Sequence, residues 1–276
     1  MSASQNAALA QMQGDLKTLG PAGYYDSDRH DSATLLRFLR ARNFDVEAAK
    51  TMWINSQKWR EAFKVDELYE SFVSTEKAAF DAFYPRYFHK TDQGGRPVYF
   101  QELGNLTFEK VGKTTTSQRL LQSLVVQLEA LEREKLPVCS QIQGHLVETV
   151  SVVFRLQGVQ WQNLLPMMMD IRKTIMILQD NYPQRVTAVG APYLFPSFWY
   201  MVKPYIAPAT HDKIHFIGHS TDFLAVIPAA SIPADYYHGE CHCPEGCANS
   251  DAGPWHGKSK EELREIERKV RSSMCG

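Results

Sequence analysis

The residues best equipped for chemistry stand close together near the end of the chain. In HGECHCPEGCANSDAGPW, residues 238–255, Cys241, Cys243 and Cys247, joined by His238, His242 or His256, carry the donor atoms of a zinc site. Their spacing matches no standard zinc finger. A tight loop of small buried thiols accounts for the same residues, so no metal ligand is assigned. GKTTTS at 112–117 has the look of a phosphate-binding loop, but that signature needs another glycine five residues before Gly112, where Thr107 stands. No GxSxG elbow, GxGxxG or HExxH is present, and no Ser/His/Asp set stands out. The chain is therefore expected not to be an enzyme. Arg37, Arg40 and Arg42 share one helical stretch, where a solvated basic face is the ordinary role.

A second stretch, Asn181 to Gly218, organises the chain around it. Arg185 to Gly190 reads as a short strand and KIHFIG, from Lys213, as another. Between them lie Phe195, Phe198, Trp199, Tyr200, Met201, Val202, Tyr205 and Ile206, cut into short pieces by prolines 192, 196, 204 and 208. Two readings fit: a crossover helix packed on a sheet, or a movable apolar lid over a large cavity.

The elements that must position these residues follow from periodicity and caps. Helices are expected over residues 4–19, from Asp31 or Ser32 through Arg40, after the Asp45 cap with Val46, Ala49, Met52, Trp53, Ser56, Trp59 and Phe63 on it, and as a pair between Asp66 and Phe83. From Tyr84 the composition changes to strand, tight turn at Gln93-Gly94-Gly95, and strand from Arg96 to Glu102. A long helix from Thr114 to Lys135 is expected to stop before Pro137. Glu148 to Leu156 is a β-branched run of the buried-strand type. Gln162 to Asn181 reads as a helix with Met167, Met168 and Met169, and Lys258 to Arg271 as a charged surface helix. Strands alternating with helices indicate an α/β domain.

Lysine plus arginine (30) nearly balance aspartate plus glutamate (31), leaving a net charge of −1 at pH 7. That argues against bulk nucleic-acid binding and against general attraction to acidic membranes. The opening MSASQNAALAQMQGDLKTLG lacks a basic and an apolar leader region, and the five cysteines are an odd count; together they point to reduced thiols in the cytosol. No apolar run is long enough to span a bilayer, so any membrane contact is expected to be peripheral.

Six motifs carry a resemblance: TLLRFLRARNFD (34–45), YFHKTDQGGRPVYFQELG (87–104), LPVCSQIQGHLVET (136–149), NYPQRV (181–186), KPYIAPATHDKIHFIG (203–218) and the CHCPEGCANSDAGPW loop. In this order they resemble the CRAL-TRIO lipid-binding family, in particular the yeast-type phosphatidylinositol/phosphatidylcholine transfer proteins (the Sec-fourteen type). The resemblance implies an α/β fold: a helical N-terminal lobe over 1–83, a CRAL-TRIO lipid-binding domain over 84–257 with a mixed-sheet floor, deep apolar pocket and gate helix at 196–206, and a C-terminal surface helix over 258–276. It also implies a monomeric, cytoplasmic protein, peripheral on intracellular membranes. Such a protein needs no cofactor, holds phosphatidylinositol, moves it between membranes and presents it to a lipid kinase.

Residue by residue, the resemblance maps the inositol-lipid headgroup onto Arg42, Asp92, Gln184, Arg185, Thr210 and Lys213. Cations would neutralise the phosphate, Thr210 would donate a hydrogen bond, and Asp92 would accept from inositol or hold a basic neighbour. The family usually has Glu where Gln184 stands, so an ion pair there is weakened. The alternative is that these polar residues form structural salt bridges. The acyl pocket and gate map onto Phe88, Tyr99, Val150, Val152, Met168, Phe198, Trp199, Met201 and Val202. The choline-lipid signature departs from the family. A Ser and a Thr that bind phosphate are replaced by Val150 and Val152, which share a face because they are two apart. Phe88 and Leu128 replace tyrosines of the choline cage, while Tyr99 remains. A phosphate facing two valines would lack donors at a cost of about 2–7 kcal/mol, so phosphatidylcholine is expected to bind poorly. Two other readings are a carrier of an apolar ligand such as a sterol or squalene, and a scaffold whose cysteine loop binds metal and partners.

Overall fold

The computed structural model describes residues 1–27, 30–155, 158–183, 186–192, 200, 203–205, 214–217, 224–236 and 238–274. The N-terminal helices are α1 (Ala3–Thr18), α2 (Ser32–Ala41), α3 (Val46–Phe63), α4 (Val65–Ser71) and α5 (Lys77–Asp81). The starts of α2 and α3 follow from side-chain caps: Asp31 accepts from the Thr34 amide at 2.7 Å and Asp45 from the Ala48 amide at 3.0 Å. Lys64, at φ 57°, ends α3 in the left-handed conformation and opens α4 in one step. Met12, Leu16, Leu35, Leu39 and Trp53 form the core of this helical group. The Trp53 indole donates to the Gly23 carbonyl at 2.9 Å. Gly23 is required there, since a Cβ would stand 2.2 Å from the Leu16 carbonyl oxygen.

Strands β1 (Arg86–Thr91), β2 (Pro97–Glu102), β3 (Val150–Arg155), β4 (Val186–Pro192) and β5 (Ile214–Ile217) lie in that order in one sheet. β1 and β2 are antiparallel, and the remaining pairs are parallel, so the sheet is mixed. The expected turn between β1 and β2 is present, with Gly95 at φ 71° donating to the Asp92 carbonyl at 3.0 Å. Alternation gives the sheet two apolar faces. Phe88, Tyr99, Val150 and Val152 form one; Tyr87, Val98, Phe100 and Val153 form the other.

The crossover from β2 to β3 holds α6 (Phe108–Thr114), capped by Thr107, and α7 (Ser117–Ala130). The expected stop before Pro137 does not occur. The helix passes through a π turn (Leu131–Lys135) and continues as α8 (Leu136–Gln143). Proline lacks an N–H and its ring crowds the carbonyl four residues back. The wider turn, with the Leu136 amide bonded to the Leu131 carbonyl, shifts the ladder so that Pro137 sits in a new first turn. Pro166 has the opposite effect on the helix expected from Gln162: α9 (Trp161–Leu164) gives way to a 3₁₀ turn (Leu165–Met167) before α10 (Met168–Asn181). The C-terminal helix α11 (Lys260–Met274) packs Leu263 into the Phe88 face, and Arg264 grips Glu70 of α4 with bonds of 2.8 and 2.9 Å.

A buried carboxylate joins the helical group to the crossover. Glu129 is 2% exposed at its side chain. It accepts from Arg60 at 2.7 and 2.9 Å, from Arg133 at 2.9 Å and from the Tyr182 hydroxyl at 2.8 Å. Burial works against the Arg60 charge, yet Glu129 holds its pKa above the ordinary value. Burial, then the Glu129 charge, pushes the Tyr182 hydroxyl well up, so it stays a donor. Removing the carboxylate leaves Arg60 and Arg133 sharing the more exposed Asp66 and takes the acceptor from the buried Tyr182 hydroxyl. Glu129→Ala is expected to lower unfolding stability by about 3–5 kcal/mol, read as a fall in the urea midpoint.

Candidate functional site

The register places the expected apolar residues side by side: Phe88 opposite Tyr99, and Tyr99 opposite Val152. The Phe88 and Tyr99 ring centroids are 4.7 Å apart. Leu131, Leu136 and Val138 cover this face together with Trp255 and Leu263. The cover is not complete, since Phe88, Tyr99 and Val152 keep 8%, 7% and 8% exposure. Two polar features limit what the face can hold. The Tyr99 hydroxyl already donates to Gln127 at 2.6 Å. The ammonium of Lys135 lies 5.2 Å from the Phe88 ring centroid and 4.8 Å from that of Trp255, so the chain's own cation stands over both rings.

Asp92 is not free to reach outward. Its Oδ1 accepts from the Gly94 and Arg96 amides at 2.8 and 2.9 Å, and its Oδ2 accepts from the buried Ser151 hydroxyl at 2.7 Å. Arg96 stands 3.6 Å away. The carboxylate orders the β1–β2 turn, ties it to β3 and stands beside a basic neighbour.

Arg42, at the C-terminal end of α2, is the other expected headgroup residue that the structure describes. It faces a groove of about 850 Å³ between α3 and α10. Met52, Trp59, Met169, Met176 and Ile177 give the groove apolar walls, and Arg42, Arg172 and Lys173 give it cations. Among the described residues Arg42 meets Asp180 at 4.0 Å, with side chains 40% and 62% exposed, so this pair restrains Arg42 weakly. Met168 is half-buried at the start of α10, with Met167 turned into the core and Met169 into the groove. The Tyr205 carbonyl accepts from Gln179 at 2.6 Å, and Arg172 lies 5.0 Å from the Tyr205 ring. The segment Lys203–Tyr205 is thereby tied to α10. Gln184, Arg185, Thr210, Lys213, Phe198, Trp199, Met201 and Val202 lie outside the described residues, as does most of the expected gate. A cavity of about 910 Å³ beside α2 and α3 has Arg60, Glu129 and Arg133 in its lining, and both arginines already pair with Glu129.

The three loop cysteines do meet, but with a different histidine. Cys241, Cys243 and Cys247 surround His89 of β1, whereas His238, His242 and His256 are exposed. Burial, then the nearby Lys90 charge, lowers the His89 imidazole to about 4, so the ring is neutral. No spacing rule connects His89 to residues some 150 positions away. The available signal was phase: His89 alternates with Tyr87 on a strand whose two faces are both apolar.

Comparison with known proteins follows the same lines. Residues 84–237 match the CRAL/TRIO domain and residues 8–55 the CRAL/TRIO N-terminal domain. The chain is 40% identical over 261 residues to the Sec14 cytosolic factor of Schizosaccharomyces pombe, covering 93% of this chain and 89% of that one. It is 32% identical over 237 residues to the phosphatidylinositol/phosphatidylcholine transfer protein SFH9 of Arabidopsis thaliana, covering 83% of this chain and 41% of that one. The crystal structure of Sfh5 superposes with a TM-score of 0.71 at 12% identity, covering 99% of both chains.

The Asp92 geometry makes a graded expectation. Asp92→Ala leaves two amides and a buried hydroxyl without an acceptor and should cost about 3 kcal/mol. Asp92→Asn should cost about 1 kcal/mol, because the Ser151 hydroxyl can rotate to accept from the new amide. Chemical denaturation of both variants checks the order.

Proposed function

The chain belongs to the CRAL/TRIO family, and we propose that it binds phosphatidylinositol and transfers it between membranes one molecule at a time. The observation that carries this reading is the groove between α3 and α10, where Arg42 stands with apolar walls of Met52, Trp59, Met169 and Met176. A phospholipid needs both: a cation for its phosphate and apolar surface for its chains. The name of the phosphatidylinositol/phosphatidylcholine transfer protein relative supports the same class of ligand. Among the described residues no helix is long and apolar enough to cross a membrane, which fits a transient membrane contact.

In this reading Arg42, Arg185 and Lys213 neutralise the phosphate, while Thr210 donates to the headgroup and Gln184 accepts from it. Asp92 acts at one remove by holding the β1–β2 turn. The acyl chains run toward Phe88, Tyr99, Val150, Val152 and Met168. Each buried methylene is worth about 0.8 kcal/mol, so the lipid leaves only when the segment carrying Phe198, Trp199, Met201 and Val202 opens against a bilayer. Residues 1–83, 84–257 and 258–276 act as lobe, lipid domain and surface helix. The protein works as a monomer in the cytoplasm, visits intracellular membranes, and hands its lipid to a phosphoinositide kinase without catalysing a step itself. Phosphatidylcholine is a poor ligand, because Val150 and Val152 offer no donor and Lys135 covers the Phe88 ring.

Transfer of labelled phosphatidylinositol and phosphatidylcholine between vesicles, run side by side, tests the reading. Inositol lipid is expected to move and choline lipid to lag. Arg42→Ala should slow inositol-lipid transfer about tenfold, the effect of losing one hydrogen bond to a charged group. Val150→Ser combined with Val152→Thr should raise choline-lipid transfer by about the same factor. Transfer of neither lipid would remove this reading and favour a sterol-like or squalene-like ligand.

A further inference from the structure

We propose that His89, Cys241, Cys243 and Cys247 form a structural zinc site that fastens the 238–256 loop to the sheet. All four donor atoms lie within 4.8 Å of one another. Zinc bonds of about 2.3 Å to sulfur and about 2.0 Å to nitrogen set tetrahedral edges of about 3.8 Å between sulfurs and about 3.5 Å between sulfur and nitrogen. Cys241 Sγ and Cys243 Sγ are 3.8 Å apart, and His89 Nε2 is 3.3 Å from Cys241 Sγ. One imidazole with three thiolates is a donor set that selects zinc over magnesium or calcium. Four protein ligands close the coordination shell, so the ion would have no open position for a substrate.

The surroundings suit that role. Ser250 Oγ donates to the Cys247 carbonyl at 2.9 Å and lies 3.3 Å from His89 Nδ1. The hydroxyl hydrogen is thus used, and Nδ1–H donates to Ser250 Oγ. This fixes the tautomer that leaves the Nε2 lone pair facing the three sulfurs. Between Cys243 and Cys247 the chain turns through Gly246 at φ 81°, whose amide bonds to the Cys243 carbonyl at 3.0 Å. The left-handed glycine brings the two thiols back to one point.

The site has a mechanical consequence. β1 is the edge strand of the sheet. Cys241 and Cys247 pack beneath it with Tyr87 and Phe100, while Trp255 of the same loop packs on the opposite face with Phe88. The loop therefore wraps the edge, with the Lys90 amide bonded to the Ala252 carbonyl at 2.6 Å. An ion on His89 would anchor one end of the wrap and so hold Trp255 against Lys135 and the face carrying Tyr99.

The test is metal analysis of the full chain purified without chelators. Stoichiometric zinc is expected, and replacement by cobalt should give the visible d–d bands of a tetrahedral thiolate site. His89→Ala and Cys247→Ser should lose the metal. His89→Cys, which restores a fourth soft donor, should keep it. A strong chelator should lower the melting temperature of the parent chain and leave His89→Ala unmoved. A parent chain that takes up no stoichiometric metal even after dialysis against zinc would overturn the proposal. Equal metal in the parent and His89→Ala would do the same. Both outcomes are read on the metal and not on folding yield, so an unstable variant does not shield the idea.

Discussion

Everything else in the fold leans on one buried negative charge. Glu129 sits where α3, the π turn and the end of α10 converge, and it is satisfied by two guanidinium groups and a tyrosine hydroxyl. A carboxylate so far from water is tolerable only with its partners in place. The arrangement therefore sets the distance between the helical group and the crossover helix. Arg37 with Glu132 at 3.1 Å, where the arginine is also buried, and Arg40 with Glu148 at 3.3 Å, nearer the surface, add ties between α2 and the β2–β3 crossover. Because α3 is placed this way, the groove between α3 and α10 has a defined width.

The sheet uses its two faces for different ends. The Phe88 face meets α8, α11 and Trp255 and carries the residues proposed to meet a lipid. The Tyr87 face is sealed by the loop that holds the cysteines. Because β1 is the edge strand among the described residues, its outer backbone needs cover. The 238–256 loop supplies that cover and links the two faces in one excursion.

Much of this was readable in the chain. The Asp31 and Asp45 caps, the turn at Gln93-Gly94-Gly95 and the shared face of Val150 and Val152 all rest on neighbours within a few residues. Local chemistry decides them. Six separated motifs were enough to point to the family and its mixed sheet. Pro137 departs from expectation for a physical reason: a proline ends a helix if the ladder stays in α register, and a π turn removes that condition. The resemblance offers Asp92 as an acceptor for inositol or a holder of a basic neighbour. Only the folded turn shows its oxygens taken by Gly94, Arg96 and Ser151.

By itself, then, the sequence determined most of the described elements, their caps, their apolar phases and the family, because these depend on side chains a turn or a strand pitch apart. Tertiary structure alone decided which distant groups meet. The Glu129 partners come from α3, the π turn and the segment after α10, and His89 meets cysteines from the far end of the chain. Such meetings carry no spacing signal, since the intervening chain can be of any length. They exist because burial forces each polar group to find a partner wherever the packed sheet and helices bring one near.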